Sequence, residues 1–214
     1  NNSCAYDITV YVLYNTWCIA SQDYKNALRK FESPWLNILV TSFTKYSNRQ
    51  YTLEEVRDYF RQHLNREFPA SFVFGTEMSA EAVMLKWCNG FVAFESIHYT
   101  CRNSHGIIQS SKMAYTCSLQ QVIEECKVRP IARSVVLCSL CMSDVVEGHR
   151  YLYAPPLLNV VVVFMTVSPD LTIHIDVDGI AMLYHLVGIV YYGNSHFTAR
   201  FTNTDGSVWF NDGI

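Results

Sequence analysis

The chain has 214 residues, of which 50% are apolar and 14% aromatic, and a formal net charge of −3. That length holds one large domain or two small lobes, and so apolar a chain is not a disordered one. There is no basic run to form a nucleic-acid footprint, and the most nearly unbroken apolar stretch, Val160–Val167, is too short to span a bilayer.

Eight cysteines stand at positions 4, 18, 88, 101, 117, 126, 138 and 141. A chain able to bury this much apolar surface does not need disulfides, and no signal peptide is visible. Five of the eight fall between 101 and 141. This reads as a local metal or former metal region plus scattered core thiols, in a reducing compartment: intracellular, cytoplasm or nucleus. The chain starts without Met just before Cys4, so we expect a fragment cut around a domain.

In chain order, residues 5–17 mix β-branched and apolar residues, a pattern that suits either a strand or a helix buried on all sides. We read a helix, with Asn2 or Ser3 as its N-cap and Asp7 in its first turn. Ser33-Pro34 opens a second helix to about Phe43, Thr52-Leu-Glu-Glu55 is a capping box for a third to about Leu64, and Ser79 opens a fourth over Ala80–Trp87. The pattern changes at Gly90. Residues 91–100 alternate as a strand, with 107–115 as its partner. A capped helix is expected over 118–126, then strands at 133–137, 151–153, 157–167, 172–177 and 181–192. Asp178-Gly179 makes a hairpin turn. A closing hairpin runs up through Phe197–Phe201, turns at 203–206 and returns through Ser207–Phe210. These elements predict an α+β fold: a helical lobe over 1–90, then an antiparallel β lobe over 91–150 and 151–214.

Three residues stand out for chemistry. Cys4 heads the first helix, where the positive end of the macrodipole favours a thiolate. His196 and Asn211 start and end the closing hairpin on the same side. Cysteine acyl transfer needs a thiolate, an imidazole and a residue that orients the imidazole. The other histidines read as ordinary: His63 as solvated, His149 in a turn, His174 and His185 packed within strands.

The order Cys…His…Asn is that of papain-like enzymes. The closing segment, with the strand through Gly193, then His196-Phe197-Thr198-Ala199 and Trp209-Phe210-Asn211-Asp212, resembles the His box of ubiquitin-specific proteases. In the family the residue after that Phe is catalytic, which implies Asn211, with Asp212 in support. Cys4-Ala5-Tyr6-Asp7 resembles the family's Cys box but has Ala5 in place of an aromatic. The family's oxyanion Asn lies upstream of this chain; Asn2 or Asn1 is the candidate substitute. The middle is similar too. Cys101-x-x-Ser104 and Cys138-x-x-Cys141, followed by Pro155-Pro156-Leu157, correspond to two zinc knuckles in a β "fingers" region. Ser104 stands where the family has Cys. Structural zinc takes four N/S ligands, so Cys101, Cys138 and Cys141 need a fourth: His105, or alternatively His98 or Cys117. A lone Cys-x-x-Cys can also be a redox motif.

The resemblance implies a papain-like cysteine protease fold with a short helical thumb, fingers and a palm. It implies cleavage after the C-terminal Gly of ubiquitin or a ubiquitin-like protein, with no cofactor needed for the reaction, and no nucleic-acid or membrane partner. Tyr191, Tyr192 and Gly193 would line the tunnel for the modifier's tail. The alternatives are a pseudo-protease that binds a modifier and an isopeptidase directed at a SUMO-like protein.

Overall fold

Residues 4–19 form a helix, and burial explains why so many β-branched residues tolerate it. Ala5, Tyr6, Ile8, Val10, Val12 and Leu13 of this helix, α1 (Cys4–Ile19), are all buried, on more than one side. The hydroxyls of Thr9 and Thr16 donate to the Ala5 and Val12 carbonyls, each at 2.8 Å, so buried polar groups stay satisfied within the helix. Four helices follow: α2 (Gln22–Lys30), α3 (Pro34–Ser47), α4 (Leu53–Glu67) and α5 (Ala80–Trp87). Ser21, Ser33, Thr52 and Ser79 cap them by accepting the N–H of Tyr24, Leu36, Glu55 and Ala82. Such a cap is worth about 1 kcal/mol. The Thr52–Glu55 capping box is complete in both directions.

The strands are β1 (Glu95–Cys101), β2 (Ile107–Lys112), β3 (Thr116–Ser118), β4 (Val145–Tyr151), β5 (Asn159–Val161), β6 (Thr172–Val177), β7 (Ile180–His185), β8 (Gly188–Gly193), β9 (His196–Thr202) and β10 (Val208–Asn211). The computed structural model describes residues 2–88, 95–101, 103, 107–112, 116–118, 138, 140–143, 145–161 and 169–212. Of the helix expected over 118–126 only Ser118 is among them, as the last residue of β3, and the strand expected over 133–137 lies outside them.

The chain divides into two compact units. The first, Asn1–Asn89 with Leu186–Ile214, joins the five helices to a three-stranded antiparallel sheet of order β10-β9-β8. Its interior holds Ile8, Leu28, Leu39, Phe43, Val56 and Phe60, none more than 1% exposed. Full burial of each such side chain contributes about 1.5–3 kcal/mol. The second unit, Gly90–His185, holds a five-stranded sheet of order β2-β1-β4-β6-β7 and the pair β3-β5.

Three expectations are corrected. The apolar run 181–192 is not one strand. It breaks after His185 into β7 and β8, which belong to different sheets, and the Val187 carbonyl in the break accepts the Thr202 N–H at 3.1 Å. The β region is not wholly antiparallel: β3 pairs with β5, and β4 with β6, in parallel. His174 and His185 are exposed rather than packed, because β7 is an edge strand and Ile175 is the buried position of β6. The Asp178-Gly179 hairpin is as expected. Both residues have positive φ (51° and 82°), as a type I′ turn requires, and the Asp176 carboxylate accepts the Gly179 N–H at 2.8 Å.

Candidate functional site

Cys4 is the first residue of α1 and is half-buried. Ser3 precedes it at the N-cap position. The Ser3 side chain makes no cap bond, but its carbonyl accepts the Tyr6 and Asp7 N–H groups at 2.8 and 2.9 Å. The first turn is fixed from outside by Asp7, whose carboxylate accepts from Arg57 Nη1 at 2.5 Å, while Arg57 Nε donates to Asp58 at 2.8 Å. Burial alone would lower the Arg57 pKa; the bonds to Asp58 and Asp7 outweigh it and raise it. Arg57 therefore remains charged and ties α4 to the turn that carries Cys4.

The same helix lies on the closing sheet. Ile8 and Val12 pack with Ala199 of β9, and Tyr11, Val190 and Phe197 border them. Gly188 of β8 makes the close approach possible. A Cβ there would lie 2.6 Å from Val12 Cγ1 and 3.3 Å from the Arg200 carbonyl oxygen. Cys4 is two turns, about 12 Å, before Val12. His196 is four residues, about 13 Å, before Arg200 along β9.

His196 follows a two-residue turn, Asn194-Ser195, with φ of 52° and 58°, and pairs with Gly193. Its Nε2 meets the main-chain carbonyl of Asp212. A carbonyl only accepts, so Nε2 is the donor in this contact. Asn211, the last residue of β10, pairs with Ala199. The structure thus brings the Asn211-Asp212 segment to His196, and the group at the ring is the Asp212 carbonyl. Among the described residues no hydrogen bond joins Cys4 Sγ to the His196 ring. Asn2 Nδ2 donates to the Gly75 carbonyl at 2.9 Å.

Tyr191 and Tyr192 are exposed at the end of β8. Arg200 lies 5.6 Å over the Tyr191 ring, and Tyr192 packs on Phe197 at 4.8 Å between ring centroids. A Cβ at Gly193 would meet nothing within 4 Å, so the space beside it is open.

In the second unit Cys101, Cys138 and Cys141 bring their sulfurs within 4.8 Å of one another, with Cys101 and Cys141 3.3 Å apart. Sulfurs around a tetrahedral zinc stand about 3.8 Å apart, so this cluster could hold a metal. Donors already point at the sulfurs. The Asn103 N–H donates to Cys101 Sγ at 3.3 Å and Asn103 Nδ2 to Cys141 Sγ at 3.5 Å. The Leu140 N–H, aided by that of Cys141, holds the Cys138 thiol below its usual range. His105 and Ser104 lie outside the described residues, as do the side chains of His98 and Cys117.

Sequence reasoning missed Arg57, Arg61 and Gly188. Only Asp7, an acid in the first turn of an apolar helix, signalled that a cation was needed nearby.

No family model matches the chain, and no curated protein matches it. Among solved structures it is similar to the SAGA Ubp8/Sgf11/Sus1/Sgf73 DUB module bound to ubiquitin aldehyde. The identity is 11% and the TM-score 0.34, over 84% of this chain and 49% of that chain. The chain thus spans about half the length of the chain it matches. Among the described residues no helix is long and apolar enough to cross a membrane.

Proposed function

We propose that the first unit is a cysteine peptidase that cleaves the peptide or isopeptide bond after the C-terminal Gly of ubiquitin or a ubiquitin-like protein. The observation that carries this reading is the packing of α1, headed by Cys4, on the sheet whose hairpin brings His196 and the Asn211-Asp212 segment together. The resemblance of those same residues to the Cys and His boxes of ubiquitin-specific proteases supports the substrate class.

Cys4 Sγ, as thiolate, attacks the carbonyl carbon of the terminal Gly. The negative charge moves to the carbonyl oxygen, where the Cys4 N–H, and Asn2 if its second amide proton reaches, can donate. His196 in its imidazolium form gives a proton to the leaving amine as the C–N bond breaks, leaving a thioester. A water, deprotonated by His196, attacks the thioester carbon and releases the Gly carboxylate and the Cys4 thiol. Asn211 orients His196, and the Asp212 carbonyl holds the Nε2 proton so that Nδ1 serves as the base. Tyr191, Tyr192 and Gly193 leave room for a tail of small residues. Cys101, Cys138 and Cys141 hold a structural zinc, with His105 as the candidate fourth ligand; zinc supplies cross-linking of the second unit and no reaction step.

Hydrolysis of ubiquitin carrying a fluorogenic amide at its terminal Gly tests the reading, beside a SUMO equivalent. Turnover lost on Cys4→Ala supports it and identifies the modifier. The unbonded Cys4–His196 pair favours a second reading, a pseudo-protease that grips a modifier without cleaving it. Nucleophile–base bonds are often long before substrate binds. Modifier binding without turnover in either assay would select this second reading.

A further inference from the structure

The residues on either side of Cys4 connect to one turn of the loop between α4 and α5, on one side directly and on the other through Arg61 of α4. Two residues before Cys4, Asn2 has a φ of 43°, which the side-chain bond to the Gly75 carbonyl accompanies. Gly75 is the third residue of the turn Val73–Thr76. There the Thr76 N–H and hydroxyl both donate to the Val73 carbonyl, at 3.4 and 2.8 Å, and the φ of +80° at Gly75 is that of a type II turn. Two residues after Cys4, the buried Tyr6 ring lies 4.9 Å from the Arg61 guanidinium, and the Phe74 ring of the same turn lies 5.0 Å from it. Arg61 is 4% exposed, whereas Phe74 is 50% exposed. A half-exposed ring is thus held on a buried cation that also touches the helix carrying Cys4. Burial raises the Tyr6 pKa, with Arg61 opposing it, so Tyr6 stays a neutral ring against the cation.

We propose that the Val73–Thr76 turn, anchored by Phe74 on Arg61, sets the position of the Cys4 backbone and sulfur, which makes Phe74 and Arg61 positioning residues for Cys4. The proposal rests on the reading of Cys4 as nucleophile. Its physical basis is the sensitivity of covalent catalysis to placement, where about 1 Å of error costs about a hundredfold in rate. In this reading Phe74 and Arg61 act on Cys4 and not on substrate. Both act through the segment 2–6, whose first turn they hold from the side opposite to the Asn2–Gly75 bond in sequence.

The test compares the unaltered chain with Phe74→Ala, Phe74→Tyr and Arg61→Lys. Iodoacetamide labelling is followed by mass spectrometry at Cys4 and at Cys18. Cys18 is exposed near the far end of α1, about 21 Å away, and serves as internal reference. The buried Cys88 reports unfolding. With Cys88 protected, Phe74→Ala is expected to raise the Cys4:Cys18 ratio at least threefold as the turn frees a half-buried thiol. In the same variant, labelling by a ubiquitin carrying a thiol-reactive terminus falls about tenfold. Phe74→Tyr, which keeps the ring, stays within twofold of the unaltered chain in both. A role in stability alone would not move the two rates in opposite directions. An unchanged or lower Cys4:Cys18 ratio in Phe74→Ala overturns the proposal, as does an unchanged probe rate in a chain that reacts with the probe. Should Phe74→Ala expose Cys88, the same criteria apply to Arg61→Lys. If the unaltered chain ignores the probe while the ratio still rises, the peptidase reading fails and the positioning of Cys4 by the turn stands.

Discussion

Gly188→Ala tests the contact that seats the Cys4 helix on the His196 sheet. The new Cβ would stand 2.6 Å from Val12 Cγ1, 3.5 Å from Val12 Cγ2 and 3.3 Å from the Arg200 carbonyl oxygen. Carbon atoms rest about 3.5–4.0 Å apart, so Val12 must retreat by about 1 Å. A valine in a helix has essentially one rotamer, so the retreat falls on the backbone of α1. Overpacking of this kind costs about 1–3 kcal/mol, and relief from the poor strand propensity of Gly returns a few tenths to about 1 kcal/mol. The net expectation is a loss of about 1–2 kcal/mol, or about 2–8 °C in Tm for a chain of this size. Denaturant unfolding read by Trp fluorescence measures it. Val12→Ala removes the clashing methyl, so the double variant should be more stable than the sum of the two single losses by about 1 kcal/mol or more. If Gly188→Ala lies within about 0.5 kcal/mol of the unaltered chain, or if the two changes simply add, α1 does not rest on β8 as described.

The Asn211-Asp212 segment gives a second expectation. Asp212→Ala keeps the carbonyl that meets His196 and should leave turnover within about fivefold, whereas Asn211→Ala should lose at least about tenfold if the carboxamide orients the ring; the reverse order, read by steady-state hydrolysis, would reassign the orienting residue. Metal analysis by plasma mass spectrometry should find one zinc per chain, lost on Cys138→Ser, since removing one of three thiolates leaves too few ligands for a closed site. In the closing hairpin, Asp205 accepts from the Ser207 N–H at 2.8 Å and from its hydroxyl at 2.6 Å, bonds that hold its carboxyl below the usual range. Its contribution is therefore present above the ordinary carboxylate pKa and lost as pH falls through the depressed native value. Thermal unfolding midpoints of Asp205→Asn and the unaltered chain, measured across a series of pH values, should accordingly converge at low pH and diverge near neutrality.

Local signals made most of the helical unit legible. Thr52 and Glu55 announce a helix start three residues apart, and Ser79 does so before Ala80; both stand where expected because the cap satisfies donors that no other group reaches. The closing hairpin was readable for a similar reason, since Asn203-Thr204-Asp205-Gly206 can hardly continue a strand. The run 181–192 was not. Its residues are apolar throughout, and the break at Leu186-Val187 carries no Gly, Pro or charge. It exists because Gly188 must reach α1 while His185 ends a strand of another sheet, and neither requirement is local. The candidate site shows the same division. Cys4 and His196 are visible as residue types at the starts of elements. Arg57 and Arg61, 50 or more residues from the turn they hold, are visible only once α4 lies beside α1.

The central claim is that Cys4 is a nucleophile for the carbonyl of a modifier's C-terminal Gly. Incubation with ubiquitin bearing a thiol-reactive warhead at that terminus, beside its SUMO counterpart and followed by peptide mapping, addresses it directly. The account predicts one covalent adduct per chain, mapped to Cys4, formed with one of the two probes, absent in Cys4→Ala and slowed at least about a hundredfold in His196→Ala. Folded protein that forms no adduct with either probe, or an adduct that maps to Cys18 and survives Cys4→Ala, would contradict it.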